Sequence, residues 1–203
     1  MKIAIIFPGI GYTADKPLLH YGRRLAADLG YEVRVMSYKG FPSKVKGDRK
    51  RMEESFSIAL EQSREMLSGT NLADYDDVLF IGKSIGTIVA AKIASESAEK
   101  TQGIVGEIAS EGAKNIRLIL YTPLEETFAF PFGRAVAFTG TADPWVGGEE
   151  SRIFGLCTER GIPCFRIPGG NHSLESGDVL ADIGELYKVM EETRRFIREE
   201  VQE

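Results

Sequence analysis

Six short apolar runs, separated by stretches with helical spacing, constrain the fold of this chain more than any other feature. The runs are Lys2–Phe7, Glu32–Tyr38, Val78–Ile81, Ile116–Tyr121, Ala135–Thr139 and Pro163–Ile167. Apolar strands that alternate with helices are typical of a parallel sheet covered on both faces. We therefore expect an α/β protein with three layers, α/β/α, and a six-stranded, mainly parallel sheet.

The helical stretches between these runs are regular enough to assign bounds. They are Lys16–Leu29, Asp48–Leu67, Gly86–Ala98, Glu149–Arg160 and a last helix with an apolar stripe of Val179, Ile183, Leu186, Met190, Thr193 and Ile197. With 203 residues, no repeats and no low-complexity linkers, the chain is expected to form one domain over residues 1–203. Active sites of such sheets lie at the carboxyl ends of the strands, so functional side chains should follow strands.

The third apolar run leads directly into Gly82-Lys83-Ser84-Ile85-Gly86, a G-x-S-x-G pattern. Between a strand and a helix, this pattern predicts a sharp turn that holds the serine in a strained conformation with its hydroxyl exposed. The helix that follows would point its positive end and its free N–H groups at the site. Ser84 is therefore a candidate nucleophile.

The glycines do not form a P-loop, and they give only weak support for a dinucleotide-binding site. A P-loop needs a glycine five residues before Gly82, and Asp77 stands there. A dinucleotide fingerprint would need G-x-G-x-x-G after the first strand, but Gly9-x-Gly11 is followed by Ala14. The next strand also lacks an acidic residue at its end to bind a ribose.

An aspartate and a histidine follow two later strands. Asp143 comes just after the fifth run, and His172 lies in a glycine-flanked loop after the sixth. Each alone has an ordinary explanation, a turn residue for Asp143 and a surface residue for His172. Together with Ser84 they occur in the order Ser, Asp, His at one edge of a sheet, which predicts a triad in which imidazole activates the hydroxyl and carboxylate orients the imidazole. Glu175 and Asp178 are rival acids, but they lie close to the histidine in sequence.

On these motifs the chain resembles the α/β-hydrolase superfamily, and within it the small bacterial members without a lid. The resemblance covers nearly the whole chain and implies a minimal α/β-hydrolase fold, without a cap domain, with strand order 2-1-3-4-5-6. It implies that Ser84 is the nucleophile, Asp143 the acid and His172 the base. Two departures are visible: the N-terminal antiparallel hairpin is missing, and Lys83 stands at the second elbow position, where His, Tyr, Glu or Asp is more usual.

The resemblance also implies an oxyanion hole. The N–H of Ile85 would be one donor, and the loop after the first strand would supply the second, from Ile10 or Gly11. The residues of that loop by themselves are equally compatible with a plain strand-to-helix turn.

Substrate contacts are predicted from positions just after strands. Tyr12, Lys83, Leu124 and Trp145 are the candidates. The connection after the fourth strand is too short for a folded cap, so we expect an open site for small or flexible acyl groups. Its Phe128, Phe130 and Phe132 fit either a pocket wall or the core. The loop over residues 39–51 is basic and could steer anionic substrates, although a solvated loop is its ordinary interpretation.

Composition limits the partners. A net charge of −5 gives no reason to expect nucleic acid or an anionic membrane as a partner. Two cysteines, Cys157 and Cys164, and two histidines predict neither a disulfide framework nor a metal site, and no cofactor is expected. The N-terminal apolar run stops at Pro8 without a cleavage site and resembles a strand more than a signal sequence, so we expect a cytoplasmic protein.

The function predicted is that of a serine hydrolase that cleaves small carboxylic esters or thioesters through an acyl-enzyme. The alternative is a non-catalytic protein of the same fold that binds a small molecule or a partner.

Overall fold

A computed structural model describes residues 1–104, 116–147 and 151–199. Six strands alternate with helices along these residues. The strands are β1 (Lys2–Phe7), β2 (Glu32–Val35), β3 (Asp77–Lys83), β4 (Ile116–Tyr121), β5 (Ala135–Gly140) and β6 (Cys164–Ile167). The helices are α1 (Pro17–Asp28), α2 (Arg49–Leu67), α3 (Ile85–Ile104), α4 (Ile153–Glu159) and α5 (Val179–Arg198), with 3-10 turns at Leu72–Asp74 and Glu125–Ala129.

All six strands form one parallel sheet in the order β2-β1-β3-β4-β5-β6. This confirms the predicted fold class and strand order. The register aligns the carboxyl ends, since Phe7 pairs with Gly82, Lys83 with Tyr121 and Gly140 with Ile167. The loops after β1, β3, β5 and β6 therefore meet at one edge of the sheet.

Helices cover both faces of the sheet, which explains why its central strands are almost continuously apolar. Alternate residues point to opposite sides: Ile3, Ile5 and Phe7 face α2, α3 and α4, while Ala4 and Ile6 face α1 and α5. The three layers thus follow from the period of two in strands whose central residues are apolar on both faces.

Some element bounds differ from the prediction. Strand β2 ends at Val35 rather than at Tyr38. The last hydrogen bond between β2 and β1 is donated by the Met36 N–H to the Ile6 carbonyl at 2.9 Å. The pairing ends there because β1 is followed by Pro8, which has no N–H to donate. Helix α4 begins at Ile153, and the predicted start of this helix at Glu149 lies outside the described residues.

Helix α5 is buried mainly along its C-terminal half, at Val189, Thr193, Phe196 and Ile197. Val179 and Ile183, which belong to the predicted apolar stripe, are 70% and 58% exposed and line an open groove together with Leu18 and Leu174. The C-terminal end of α5 is fixed by the buried guanidinium of Arg117, which donates to the carbonyls of Phe196 (2.7 Å) and Ile197 (3.2 Å).

Two further features bear on the site. The connection from β4 to β5 spans only residues 122–134 and contains one short 3-10 turn, so no cap domain is inserted there. Across residues 1–104, 116–147 and 151–199, we find no helix with the length and apolar character needed to cross a lipid bilayer.

Candidate active site

The G-x-S-x-G pattern forms a tight turn between β3 and α3. Ser84 has a φ of +56°, a left-handed conformation that is uncommon for a residue with a side chain. Hydrogen bonds hold it there: the Ser84 N–H donates to the Tyr121 carbonyl at 3.0 Å, and the Thr87 N–H donates to the Ser84 carbonyl at 2.8 Å. Since neighbouring strand β4 fixes the turn, the strain at Ser84 is a property of the fold.

Close backbone packing explains the last glycine of the motif. A Cβ at Gly86 would lie 2.0 Å from the Phe7 carbonyl oxygen, so α3 passes directly against the end of β1. The loop after β1 also reaches the elbow, because a Cβ on Gly9 would be 3.2 Å from the Ser84 Cβ.

The loops after β5 and β6 are held together in the same way. A Cβ at Gly140 would lie 2.0 Å from the Gly170 carbonyl oxygen, and the Ala142 N–H donates to that oxygen at 2.9 Å. This contact fixes the loop that carries Asp143 against the loop that carries His172.

Ser84, His172 and Asp143 form one hydrogen-bonded row across these loops. The Ser84 Oγ lies 2.8 Å from Nε2 of His172, and Nδ1 of His172 lies 2.7 Å from Oδ2 of Asp143. A carboxylate only accepts, so neutral imidazole must carry its proton on Nδ1 and leave Nε2 free to accept from the serine hydroxyl. The arrangement has the geometry of a nucleophile, a base and an orienting acid.

Asp143 is completely buried and both of its carboxylate oxygens are bonded. Oδ1 accepts from the Trp145 N–H at 2.9 Å, while Oδ2 accepts from His172. Of the rival acids, Asp178 caps α5 by accepting from the N–H groups of Leu180 and Ala181, and Glu175 is exposed. Asp143 is therefore the acid that the structure places against the imidazole.

The environment of His172 favours its neutral form. Burial lowers the pKa of the imidazole below its usual value, and the positive charges of Lys83 and Lys46 lower it further, while Asp143 acts in the opposite direction. The indole of Trp145 stacks on the imidazole, with ring centroids 5.0 Å apart and an interplanar angle of 21°. A base that stays neutral to lower pH is suited to accepting a proton.

The predicted oxyanion donors lie beside the elbow. Ile85 is the first residue of α3, so its N–H has no partner within the helix. The loop after β1 makes a tight turn in which Gly9 and Tyr12 exchange two backbone hydrogen bonds, of 3.2 and 3.3 Å, with Ile10 and Gly11 at its tip. Neither tip N–H donates to a backbone carbonyl of the described residues.

Lys83 and Tyr12, predicted to contact substrate, lie inside the protein and against each other. Lys83 is 2% exposed and Tyr12 8%, and the lysine Nζ lies 4.9 Å from the centre of the tyrosine ring. The tyrosine hydroxyl accepts from the Leu18 N–H at 3.1 Å. Burial lowers the pKa of the Lys83 ammonium to about 7, since a charged group loses its hydration there.

The two other predicted contacts differ from each other. Leu124 is 4% exposed and belongs to the core cluster that packs on α3, whereas Trp145 is half-buried beside His172. Burial of Lys83, Tyr12 and Leu124 leaves Trp145 as the candidate contact whose side chain a substrate can reach.

A cleft next to Trp145 was not predicted from the sequence. It has a volume of about 640 Å³, and we call it the Trp145 cleft. Its apolar lining consists of Val45, Met52, Phe56, Ile88, Ala129, Phe130 and Trp145. One signal in the sequence points to it: α2 follows a strand, so its first turns must lie at the carboxyl edge where the site is. Of the three phenylalanines after β4, Phe130 lines this cleft and Phe128 is buried in the core.

Comparison with known proteins supports the fold. No model of a protein family and no curated protein sequence matches the chain. Several solved structures do match. Est1E from Butyrivibrio proteoclasticus is 12% identical with a TM-score of 0.64 over 97% of this chain and 86% of that one.

Two other similar structures are described as serine hydrolases. An α/β serine hydrolase without a lid from Xanthomonas campestris is 14% identical, with a TM-score of 0.56 over 98% of this chain and 84% of that one. An α/β serine hydrolase homologue from Coxiella burnetii is 17% identical, with a TM-score of 0.54 over 97% and 85% of the two chains. The chain therefore has the α/β-hydrolase fold, in a form without a lid among the described residues.

Proposed function

We propose that this protein is a serine hydrolase that cleaves carboxylic esters or thioesters of small molecules. The observation that carries the proposal is the row of hydrogen bonds from Ser84 through His172 to Asp143, 2.8 and 2.7 Å long, on a serine held at a positive φ. A serine with an ordinary structural role has no need of a strained backbone or of a neutral, carboxylate-bound imidazole.

The reaction follows from the hydrogen bonds. Nε2 of His172 takes the proton of the Ser84 hydroxyl as Oγ attacks the substrate carbonyl carbon. The carbonyl oxygen becomes negatively charged and accepts from the Ile85 N–H and from a second N–H at the tip of the loop after β1, either Ile10 or Gly11. His172 then gives its proton to the leaving alcohol or thiol, which leaves an acyl group on Ser84.

Water completes the cycle. His172 accepts a proton from a water molecule, whose oxygen attacks the acyl carbon, and the proton returns to Ser84 as the acid is released. Throughout, the carboxylate of Asp143 stabilises the imidazolium, while the Trp145 N–H keeps the carboxylate in position.

Labelling with a fluorophosphonate tests the proposal directly, because such reagents react only with an activated serine. Intact mass spectrometry should show one adduct per chain, and the adduct should be lost in both Ser84→Ala and His172→Ala. Absence of labelling in the folded wild-type protein would overturn the proposal and favour a binding protein of the same fold.

A further inference from the structure

The Trp145 cleft lies beside the proposed catalytic residues. Trp145 forms one wall and stacks on His172, and Ile88, which also lines the cleft, follows Ser84 by about one helical turn. A group bound to the carbon that Ser84 attacks would reach the cleft past Trp145 and Ile88. The volume of about 640 Å³ lies within the range of small-molecule sites.

The interior of the cleft is apolar and largely aromatic. The rings of Phe56 and Phe130 stack at 6.3 Å with an interplanar angle of 22°, and Met52 lies beside them. Aromatic walls bind flat or chain-like apolar groups well, and a methionine side chain adapts to their shape. These apolar side chains cannot compensate an ionised group for its lost hydration.

Four charged residues also line the cleft, and three of them, Arg49, Glu53 and Glu126, are exposed to solvent. Arg49 is paired with Glu53 at 2.9 Å. The fourth, Asp48, is half-buried and caps α2 by accepting from the Arg51 N–H at 3.1 Å. The apolar side chains are therefore left to contact an uncharged group.

We infer that the Trp145 cleft binds an uncharged apolar group of the ester, of the size of a phenyl ring or a six-carbon chain. The inference rests on the proposed hydrolase function and specifies its substrate class. It narrows the expectation of small acyl groups, because an acetyl group would leave the cleft empty.

Two series of simple esters test the inference. Ethyl esters from acetate to hexanoate extend the acyl group, and acetates from ethyl to hexyl extend the alcohol, so that ethyl hexanoate and hexyl acetate are isomers with the same apolar content. In one series kcat/KM should rise roughly threefold per methylene up to six carbons. Equal kcat/KM values along both series would overturn the inference.

Ala129→Phe provides the matching structural test, because Ala129 also lines the cleft and a phenyl ring there occupies it. The ratio of kcat/KM for the six-carbon substrate to that for ethyl acetate should fall at least tenfold. Ala73→Phe is the control, since Ala73 is an exposed alanine before β3, at the opposite edge of the sheet, and should keep the wild-type ratio. An unchanged ratio in Ala129→Phe would overturn the inference.

The two proposals fail in different ways. If the wild-type protein is labelled at Ser84 but kcat/KM is constant along both ester series, the hydrolase proposal stands and the inference about the cleft is rejected. If the protein is not labelled and hydrolyses no ester, both are rejected.

Discussion

The side-chain nitrogen of Lys83 lies 4.9 Å from the centre of the Tyr12 ring, so the residue next to the proposed nucleophile has a buried amino group. The Coulombic influence of Asp143 and Glu175 raises its pKa, but burial outweighs both and lowers the pKa to about 7. In its protonated form, Lys83 lowers the pKa of His172. The protonation state of Lys83 therefore affects the protonation state of the proposed base.

Lys83→Met should move the acid limb of the pH dependence of kcat/KM to higher pH. Removing a positive charge raises the pKa of His172, and the imidazole must be neutral to accept the serine proton. The measurement is kcat/KM for one ester between pH 4 and 9, at the same ionic strength for both proteins. Lys83→Arg keeps the charge and should keep the limb in place, and an identical limb in Lys83→Met would show that the charge does not act on His172.

Lys83→Met should also be more stable than the wild type below pH 7, on the order of a few kcal/mol. Because the pKa of Lys83 is about 7 in the folded protein and 10.5 for an ordinary, solvated lysine, the unfolded chain binds more protons between these values. Wild-type stability should consequently rise with pH from 7 to about 10.5. Urea unfolding at several pH values tests this, and a constant difference between the two proteins would contradict it.

Asp143→Asn should lower kcat by about 10⁴-fold without loss of the fold. The amide can still accept from the Trp145 N–H, but its NH₂ group can stabilise the wrong tautomer of His172. Steady-state kinetics together with circular dichroism measure the two effects. Glu175→Gln is the matched change, and a larger loss of kcat there than in Asp143→Asn would make Glu175 the acid.

Gly140→Ala should destabilise the protein by roughly 3 kcal/mol or more and reduce fluorophosphonate labelling. The new methyl group would lie 2.0 Å from the Gly170 carbonyl oxygen, which forces the Asp143 loop away from the His172 loop. Gly155→Ala is the control, because that glycine lies in α4 with nothing within 4 Å of its Cβ position. It should raise stability by about 0.5–1 kcal/mol; equal effects of both substitutions on thermal unfolding would contradict the packing argument.

Neutralising Lys44 and Lys46 to glutamine should lower kcat/KM several-fold for an anionic ester such as monoethyl succinate, and less for ethyl butyrate. Both lysines are exposed, and the charge of Lys46 reaches His172. The difference should disappear at high salt. Lys2→Gln, at the opposite edge of the sheet, should change neither substrate, and an unaltered kcat/KM for the anionic ester in the double variant would exclude steering by this loop.

Much of the fold could be predicted because its signals are local. A strand buried on both faces is apolar at nearly every position, as in β1 after Lys2, and a G-x-S-x-G between a strand and a helix marks its own turn. Alternation of strands and helices then places Ser84, Asp143 and His172 at one edge of a parallel sheet. Errors occurred at ends such as that of β2, where a neighbour decides how far pairing continues.

The sequence by itself determined the layers, the strand order that the resemblance implied and the residues that meet at the carboxyl edge. Only the tertiary structure decided how far each side chain is buried there. Lys83 and Val179 are opposite examples: the lysine is buried against the Tyr12 ring, whereas the valine of the last helix is 70% exposed at an open groove. The Trp145 cleft likewise is lined by residues from four separate segments. The pattern of residues within any one segment cannot predict a cleft that forms between segments.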